Sequence, residues 1–157
     1  MAEVKALHAE VRQADGLTFI GRGASNHWVT IDTSEAEGGH AAGSGPMELL
    51  LVALGACTSM HVAGTLAKMK QPVAGYRVEL SGERQEELPH RFTRIFIDYY
   101  VTSDTLPTAD VERAIRLSAE KYCSVGGTLT PCVTLVHRYH IIRSSGEETA
   151  EVVTTGA

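Results

Sequence analysis

The sequence predicts an α+β fold. Three observations lead to this class: apolar and polar residues alternate in the first third of the chain, a long apolar run follows Pro46, and two further alternating segments precede a second helix and a last strand. With 157 residues, 43% of them hydrophobic and 21% charged, the chain is long enough to bury one core. We therefore expect a single domain over residues 1–143.

The first third is predicted to form three strands. The segments EVKALHAEVR, LTFIGRG and HWVTID alternate in polarity, and Ala14-Asp15-Gly16 between the first two is a turn of the Asp-Gly kind that favours a hairpin. The next segment, TSEAEGGHAAGSG, is rich in Gly, Ser and Ala and has no periodicity. We expect it to be a mobile loop.

A long helix is predicted from Pro46 to about Lys70. Pro46 suits the first helical position, and Glu48 lies in the first turn, where the positive end of the helix dipole favours a carboxylate. Pro72 ends the pattern. From Met47 to Val62 the helix is apolar nearly all round, so it must be covered on every side, for example by a sheet on one face and by other helices, of this chain or of a second subunit, on the rest.

The remainder is predicted to form two strands, a helix, a strand and a tail. AGYRVELSGERQ and RFTRIFIDYYVTS alternate and are joined by the polar segment EELPH. Pro107 opens a helix that ends near Cys123. Its apolar face carries residues at three- and four-residue intervals, namely Val111, Ala114, Ile115, Ser118, Ala119 and Tyr122. CVTLVHRYHII is the last predicted strand, and residues 144–157 are expected to be a disordered tail.

Charge and hydropathy exclude several classes of partner. The net charge is −5 and the basic residues are dispersed, which argues against nucleic acid and against an anionic membrane surface. MAEVKALHAEVRQ is charged throughout and predicts no export signal. The longest apolar run, Met47 to Cys57, is about half the ~20 residues that a membrane span needs. These features predict a soluble, cytoplasmic protein that lies outside membranes.

Three cysteines, Cys57, Cys123 and Cys132, are the candidate reactive groups. They form no CxxC motif and no Cys/His spacing, so we expect neither a metal site nor a disulfide framework. Cys57 and Cys123, on two predicted core helices, either fill the core or form a redox pair in which one thiol reduces a peroxide and the other traps the sulfenic acid. Cys132, on an alternating strand, is expected to fill the core.

Three other side chains allow two interpretations each. His61, four residues after Cys57, either bonds the thiol or substrate or has a packing or interface role. Arg22, in the sequence GRG at a strand end, either turns inward or is a solvated arginine. Glu48 is either a helix-start carboxylate or a catalytic one.

Two motifs carry a family resemblance. GPMELLLVALGACTSM, together with LSAEKYCSVGGTL, resembles the OsmC/Ohr family of thiol-dependent hydroperoxide reductases and, within it, the YhfA-like branch. GLTFIG, SGERQEE and RFTRI are similar to the same branch, and the resemblance covers residues 3 to 142.

The resemblance implies an intertwined homodimer, with antiparallel sheet packed on long central helices and two active sites at the subunit interface. It implies that Cys57 is the peroxidatic cysteine and Cys123 the resolving one. A dithiol of the dihydrolipoyl type would reduce the resulting disulfide, and no cofactor is needed.

The motif departs from the family at the helix start. In the family's peroxidases a catalytic glutamate directly follows the helix-opening proline, but Met47 holds that position here. Glu48 is one residue further on, rotated by about 100° around the helix. Arg22 is the candidate for the family's thiolate-stabilising arginine.

Two functions follow. The leading hypothesis is a peroxidase that reduces organic hydroperoxides through Cys57 and Cys123, with Arg22 and Glu48 as further candidate site residues. An apolar pocket around Cys57 would favour alkyl hydroperoxides over hydrogen peroxide, because burial of an alkyl tail contributes about 25 cal/mol per Å². The alternative is a small-molecule-binding or stress-response protein on the same scaffold, in which the cysteines only pack.

Overall fold

The structure, a computed structural model, describes residues 6–157 and confirms the α+β class. The chain divides into two units, residues 1–50 and 51–157. Residues 3–5 of the first predicted strand lie outside the described residues. The single domain expected over residues 1–143 stays a prediction.

The first unit contains the three predicted strands. They are β1 (Ala9–Asp15), β2 (Thr18–Gly23) and β3 (Trp28–Ile31), which form an antiparallel sheet in the order β1-β2-β3. The hairpin between β1 and β2 turns at Gly16, whose φ of 51° lies in the left-handed region that glycine adopts without steric cost. The hairpin is therefore confirmed, but its turn residues are Gly16 and Leu17, and Ala14 and Asp15 are the last residues of β1.

The loop after β3 is folded around one buried carboxylate, that of Asp32. Its two oxygens accept hydrogen bonds from the backbone N–H groups of Thr33, His40 and Ala42 at 2.8, 3.2 and 3.1 Å, and from the hydroxyl of Thr18 at 2.9 Å. Burial opposes ionisation, but these donors outweigh it and lower the pKa of Asp32. A short 3₁₀ turn, Glu35–Glu37, lies within the loop.

The long helix, α1, spans Pro46–Lys68 and confirms the prediction to within two residues. Its buried residues in the second unit include Leu54, Gly55 and Val62. Gly55 allows a close approach to the sheet, because a Cβ atom at this position would lie only 2.6 Å from Cδ1 of Leu80. A larger side chain at this position would require the Leu80 side chain to move.

One face of α1 carries exposed apolar side chains. Val52 is 61% exposed and Met60 75% exposed. The other exposed residues from Ala53 to Ala67 are small, namely Ala53, Ala56, Ala63 and Ala67. Among the helices of residues 6–157, α1 alone is long enough and apolar enough to span a membrane by length and composition. Core helices of soluble proteins pass the same test.

The second unit contains a four-stranded sheet in the order β4-β5-β6-β7. Its strands are β4 (Gly75–Arg84), β5 (Phe92–Thr102), β6 (Thr134–Arg143) and β7 (Gly146–Thr155). Neighbouring strands are antiparallel except β5 and β6, which are parallel because a helical crossover connects them. The buried face of β5 carries Ile95, Ile97, Tyr99 and Val101.

The disordered tail expected over residues 144–157 is wrong. Residues Gly146–Thr155 form β7, which pairs with β6 from Arg143↔Gly146 to Leu135↔Thr155 and buries Val152. The strand lies at the sheet edge and most of its side chains are exposed. Its sequence therefore lacks the apolar alternation that marks a half-buried strand.

The crossover from β5 to β6 differs from the single helix that the sequence predicts. Helix α2 spans Thr108–Leu117, a π-helical turn follows over Ser118–Tyr122, and a short helix α3 spans Ser124–Leu129. Val111, Ala114, Ile115 and Ser118 are buried as expected, whereas Tyr122 is 44% exposed. Its place on the apolar face was wrong because the π-helical turn changes the rotation per residue.

Cys132 is exposed, which corrects the expectation that it fills the core. Strand β6 begins only at Thr134, so Cys132 lies in the turn before it. The alternation of buried and exposed positions along the strand does not extend to this residue.

Candidate functional site

The structure brings Cys57 and Cys123 together. Cys57 lies in the middle of α1 and is partly exposed, whereas Cys123 is buried at the position just before α3. The Cys57 thiol acts on the Cys123 thiol both as a hydrogen-bonding partner and by its charge. Two sulfurs separated by 66 positions in the chain therefore meet at one site.

Burial raises the pKa of Cys123 to about 11. The backbone N–H of Gly126, which donates to Sγ at 3.3 Å, acts in the opposite direction, and so does that of Val125. Cys57 adds to the increase, because a negative charge there disfavours a second one on Cys123. At neutral pH, Cys123 is therefore a protonated thiol.

A stacked pair of rings lies beside the two cysteines. The centroids of His61 and Tyr122 are 5.8 Å apart, and the ring planes are inclined by 30°. His61 is one helical turn after Cys57, and Tyr122 immediately precedes Cys123. This contact supports the packing interpretation of His61, which joins the segments that carry the two thiols.

A buried polar network lies next to the same pair. Thr58 Oγ lies 2.6 Å from the hydroxyl of Tyr99 and 2.9 Å from Oγ of Ser118. The hydroxyl of Tyr99 also lies 3.0 Å from Nδ1 of His137. All four residues are buried, and Tyr99 is close enough to Cys123 for the two to interact electrostatically.

This network is uncharged at neutral pH. Burial lowers the pKa of His137 to about 4, so its imidazole is neutral. Burial also raises the pKa of Tyr99 far above its ordinary value, although the hydrogen bond with Thr58 partly offsets the shift. The network therefore consists of neutral donors and acceptors.

The sequence did not identify Thr58, Tyr99 or His137, and it placed Ser118 only on an apolar helix face. The available signal was a polar side chain at a position where the local pattern demands an apolar one. Tyr99 and His137 occupy inward positions of strands β5 and β6, and Thr58 lies in the apolar part of α1. That pattern marks each residue singly and cannot show that they meet.

Glu48 has a structural partner in the first unit. Its Oε2 accepts the backbone N–H of Gly45 at 2.8 Å, and the side chain is exposed. A carboxylate that accepts a backbone N–H just before the first helical turn is the reciprocal half of a capping box. Glu48 therefore acts as a helix-start carboxylate in this structure.

Arg22 is also engaged in the first unit. Its Nε lies 2.9 Å from Oε2 of Glu10, its side chain donates to Asn26, and its guanidinium stacks 4.8 Å from the ring centroid of Trp28. Hydrogen bonds from Arg12 and then Arg22 lower the pKa of Glu10. Arg22 and Glu48 thus have partners of their own, and the residues brought together are Cys57 and Cys123.

No group of three His, Cys, Asp or Glu side chains within residues 6–157 is arranged to hold a metal ion.

Comparisons with known proteins identify the scaffold. Residues 38–138 match the family model described as OsmC-like protein. The chain is 41% identical to Protein YhfA of Escherichia coli K12 over 136 residues. The matched residues cover 87% of this chain and 98% of that protein.

Solved structures agree. A hypothetical protein from Aquifex aeolicus VF5 has a TM-score of 0.77 at 29% identity and covers 88% of this chain and 97% of that one. The organic hydroperoxide resistance protein OsmC from Legionella pneumophila has a TM-score of 0.65 at 11% identity and covers 88% of this chain and 98% of that one, which shows a shared fold. From the family match and the extended identity to YhfA, the chain belongs to the OsmC-like protein family.

Proposed function

We propose that this protein is a thiol-dependent peroxidase that reduces organic hydroperoxides. The observation that carries the proposal is the contact between the thiols of Cys57 and Cys123. Membership of the OsmC-like family supports it, and so does the name of the structural neighbour from Legionella pneumophila, an organic hydroperoxide resistance protein.

Cys57 is the attacking residue in this proposal. It is the more exposed of the pair, and Cys123 remains protonated because its pKa is raised to about 11. The Cys57 thiolate attacks the terminal oxygen of the hydroperoxide, the O–O bond breaks, and the alkoxide leaves as an alcohol after it takes a proton. Cys57 is then a sulfenic acid.

Cys123 completes the cycle. Its sulfur attacks the sulfenic sulfur, an S–S bond forms, the S–O bond breaks, and the hydroxyl leaves as water with the thiol proton. Oxidation of Cys57 removes the negative charge that contributes to the raised pKa of Cys123. A dithiol of the dihydrolipoyl type then reduces the disulfide in two exchange steps, and no cofactor takes part.

The substrate is an alkyl hydroperoxide. The surface of α1 beside Cys57 is apolar, because Ala53, four residues before it, and Met60, three residues after it, are its neighbours on the helix and both are exposed. An alkyl chain gains binding free energy from such a surface at about 25 cal/mol per Å² buried, which hydrogen peroxide cannot do.

A second copy of the chain covers the exposed face of α1. That face carries Val52 and Met60 with small residues between them, which lets another helix approach closely. We propose a cytoplasmic homodimer in which this face lines the subunit interface, so that the alkyl-binding surface beside Cys57 lies at that interface, as the family resemblance implies. Neither a membrane nor nucleic acid is a partner in this proposal.

The alternative function is a small-molecule-binding protein with structural cysteines. One observation favours it: Met47 stands where the family's peroxidases have glutamate, and the neighbouring Glu48 is engaged with Gly45. In that case the cysteine site would lack the carboxylate that the family uses in catalysis.

Steady-state turnover of cumene hydroperoxide with a dihydrolipoyl donor tests the proposal. Wild-type protein is expected to turn over, and Cys57→Ser is expected to have no activity above the uncatalysed rate. Equal turnover by the two proteins would rule out the cysteine cycle and leave the binding function. Arg22→Ala and Glu48→Ala, in the same assay, measure whether either residue contributes.

A further inference from the structure

The buried network beside the cysteines has one arrangement of protons that satisfies every contact. Besides the three contacts already described, Oγ of Ser118 lies 3.3 Å from the backbone carbonyl oxygen of Thr58. Thr58, Ser118, Tyr99 and the neutral imidazole of His137 each carry one proton to donate. Four donors therefore face four contacts.

The proton direction follows from this count. If Ser118 donates to the Thr58 carbonyl, then Thr58 donates to Ser118, Tyr99 donates to Thr58, and Nδ1–H of His137 donates to Tyr99. All four hydrogen bonds form, and Nε2 of His137, which has no partner among the described residues, is left as a bare acceptor. The reverse direction loses the bond to the carbonyl and leaves a buried N–H without an acceptor, which is the costlier defect.

The network also connects the backbone segments of the two cysteines. Thr58 directly follows Cys57 on α1. Ser118 begins the π-helical turn, and its carbonyl oxygen accepts the backbone N–H of Cys123 at 2.9 Å. The hydrogen bond between the hydroxyls of Thr58 and Ser118 therefore links the backbone next to Cys57 with the backbone that binds Cys123.

We propose that the hydroxyl pair of Thr58 and Ser118, anchored by Tyr99 and His137, is a positioning device that sets how readily Cys57 and Cys123 form a disulfide. A disulfide requires the two Cβ atoms to lie about 3.5–4.5 Å apart, so a small loosening between the helices lowers the fraction of time in which the bond can form. The proposal rests on the proposed function only in taking this disulfide as part of the catalytic cycle.

The test measures the disulfide itself, without peroxide. The protein, in a Cys132→Ser background that removes the exposed third thiol, is equilibrated with glutathione: the protein dithiol and one oxidised glutathione give the protein disulfide and two reduced glutathiones. We expect Ser118→Ala and Thr58→Val to lower the equilibrium constant at least tenfold, which is about 30 mV in reduction potential.

Two matched variants separate positioning from general loosening. Thr58→Ser keeps the hydroxyl that bonds to Ser118 and Tyr99. It is expected to retain the wild-type equilibrium constant within about threefold, which corresponds to about 0.6 kcal/mol. Ser103→Ala removes another buried serine, whose hydroxyl donates to the Pro72 carbonyl and accepts from the Leu106 N–H, and is expected to reduce stability without changing the disulfide equilibrium. If Ser118→Ala does not fold, Thr58→Val and Thr58→Ser carry the comparison.

Three results would overturn the proposal: an unchanged equilibrium constant in Ser118→Ala and Thr58→Val, an equal fall in Ser103→Ala, or a wild-type chain that forms no disulfide with glutathione. Failure of the proposed function looks different. In that case the glutathione equilibrium responds to the variants as expected, while wild-type protein does not turn over a hydroperoxide.

Discussion

The hydroxyl of Tyr99 lies 3.0 Å from Nδ1 of His137, and both side chains are buried where strands β5 and β6 run parallel. The contact joins a phenol and a neutral imidazole that would each be left with an unpaired polar atom if the other were removed. It therefore links the stability of the core to the protonation of one histidine.

Removal of the Tyr99 hydroxyl is expected to destabilise the protein. Tyr99→Phe leaves Thr58 and His137 without a shared partner in the core, which costs about 1–3 kcal/mol in the free energy of unfolding. Urea unfolding measures the effect. The matched control is Tyr100→Phe, which removes a hydroxyl from a partly exposed ring stacked on His140 and is expected to change stability by less than about 0.5 kcal/mol. Equal losses in the two variants would contradict the role of the buried hydroxyl.

His137 is expected to make stability depend on pH. Its pKa is lowered from 6.5 to about 4 in the folded state, so between these values the unfolded chain binds the proton and the folded chain does not. The free energy of unfolding therefore rises with pH across this window and falls by about 3 kcal/mol as the pH drops through it. Urea titrations at intervals from pH 7 to pH 4 measure the slope.

The variant His137→Gln is expected to flatten this slope, because a glutamine side chain does not take up a proton in this pH range. The control is His27→Gln, which makes the same substitution at an exposed histidine. Carboxyl groups with a lowered pKa add a slope of the same sign, Glu10 from about its ordinary value of 4.5 downward and Asp98 from about 3.8 downward. Both remain in His137→Gln, so the difference between the two slopes reports His137. An unchanged slope in His137→Gln would show that this histidine is not held neutral by burial.

The three cysteines are expected to react with iodoacetamide in a defined order. Cys132, which is exposed, is alkylated first, and Cys123 reacts last because it is buried and its pKa is raised to about 11. Peptide mass spectrometry after timed quenching at pH 8 gives the three rates. If Cys123 were alkylated as fast as Cys132 in the folded protein, the burial of Cys123 would be contradicted. In urea, as a control, the two cysteines should react at similar rates.

The C-terminal strand is expected to contribute to stability. Val152→Ala removes two buried methyl groups from β7 and is expected to lower the free energy of unfolding by about 1–2 kcal/mol, whereas Thr154→Ala at an exposed position should cost less than about 0.5 kcal/mol. Hydrogen exchange should show slow amides along Gly146–Thr155. A tail without structure would show no difference between the variants and no protected amides.

Much of the fold could be predicted from the sequence because burial imposes a period on it. Alternation identified six of the seven strands that residues 6–157 form, and the apolar run after Pro46 identified α1. The seventh strand, β7, was missed because it lies at the sheet edge and Val152 is its one buried residue, so its sequence has no apolar alternation. The α2 helix was extended too far because a π-helical turn has no distinct signal in the sequence.

The site was predictable only in its cysteines. Cys57 and Cys123 stand in motifs that resemble a family, and the structure places their thiols in contact. Thr58, Tyr99 and His137 meet only through tertiary structure. Strand β6 pairs with β5 in a parallel register that sets His137 opposite Ile97, two residues from Tyr99. Arg22 and Glu48 were candidates by resemblance, and their partners in the first unit could not be read from a local pattern.

The contact between the two thiols is tested most directly by intact mass. One equivalent of cumene hydroperoxide added to the reduced protein is expected to remove two hydrogen atoms per chain, to protect Cys57 and Cys123 from alkylation, and to leave Cys132 reactive. An unchanged mass with all three thiols still free, or a stable addition of oxygen to Cys57 with Cys123 still free, would contradict the account.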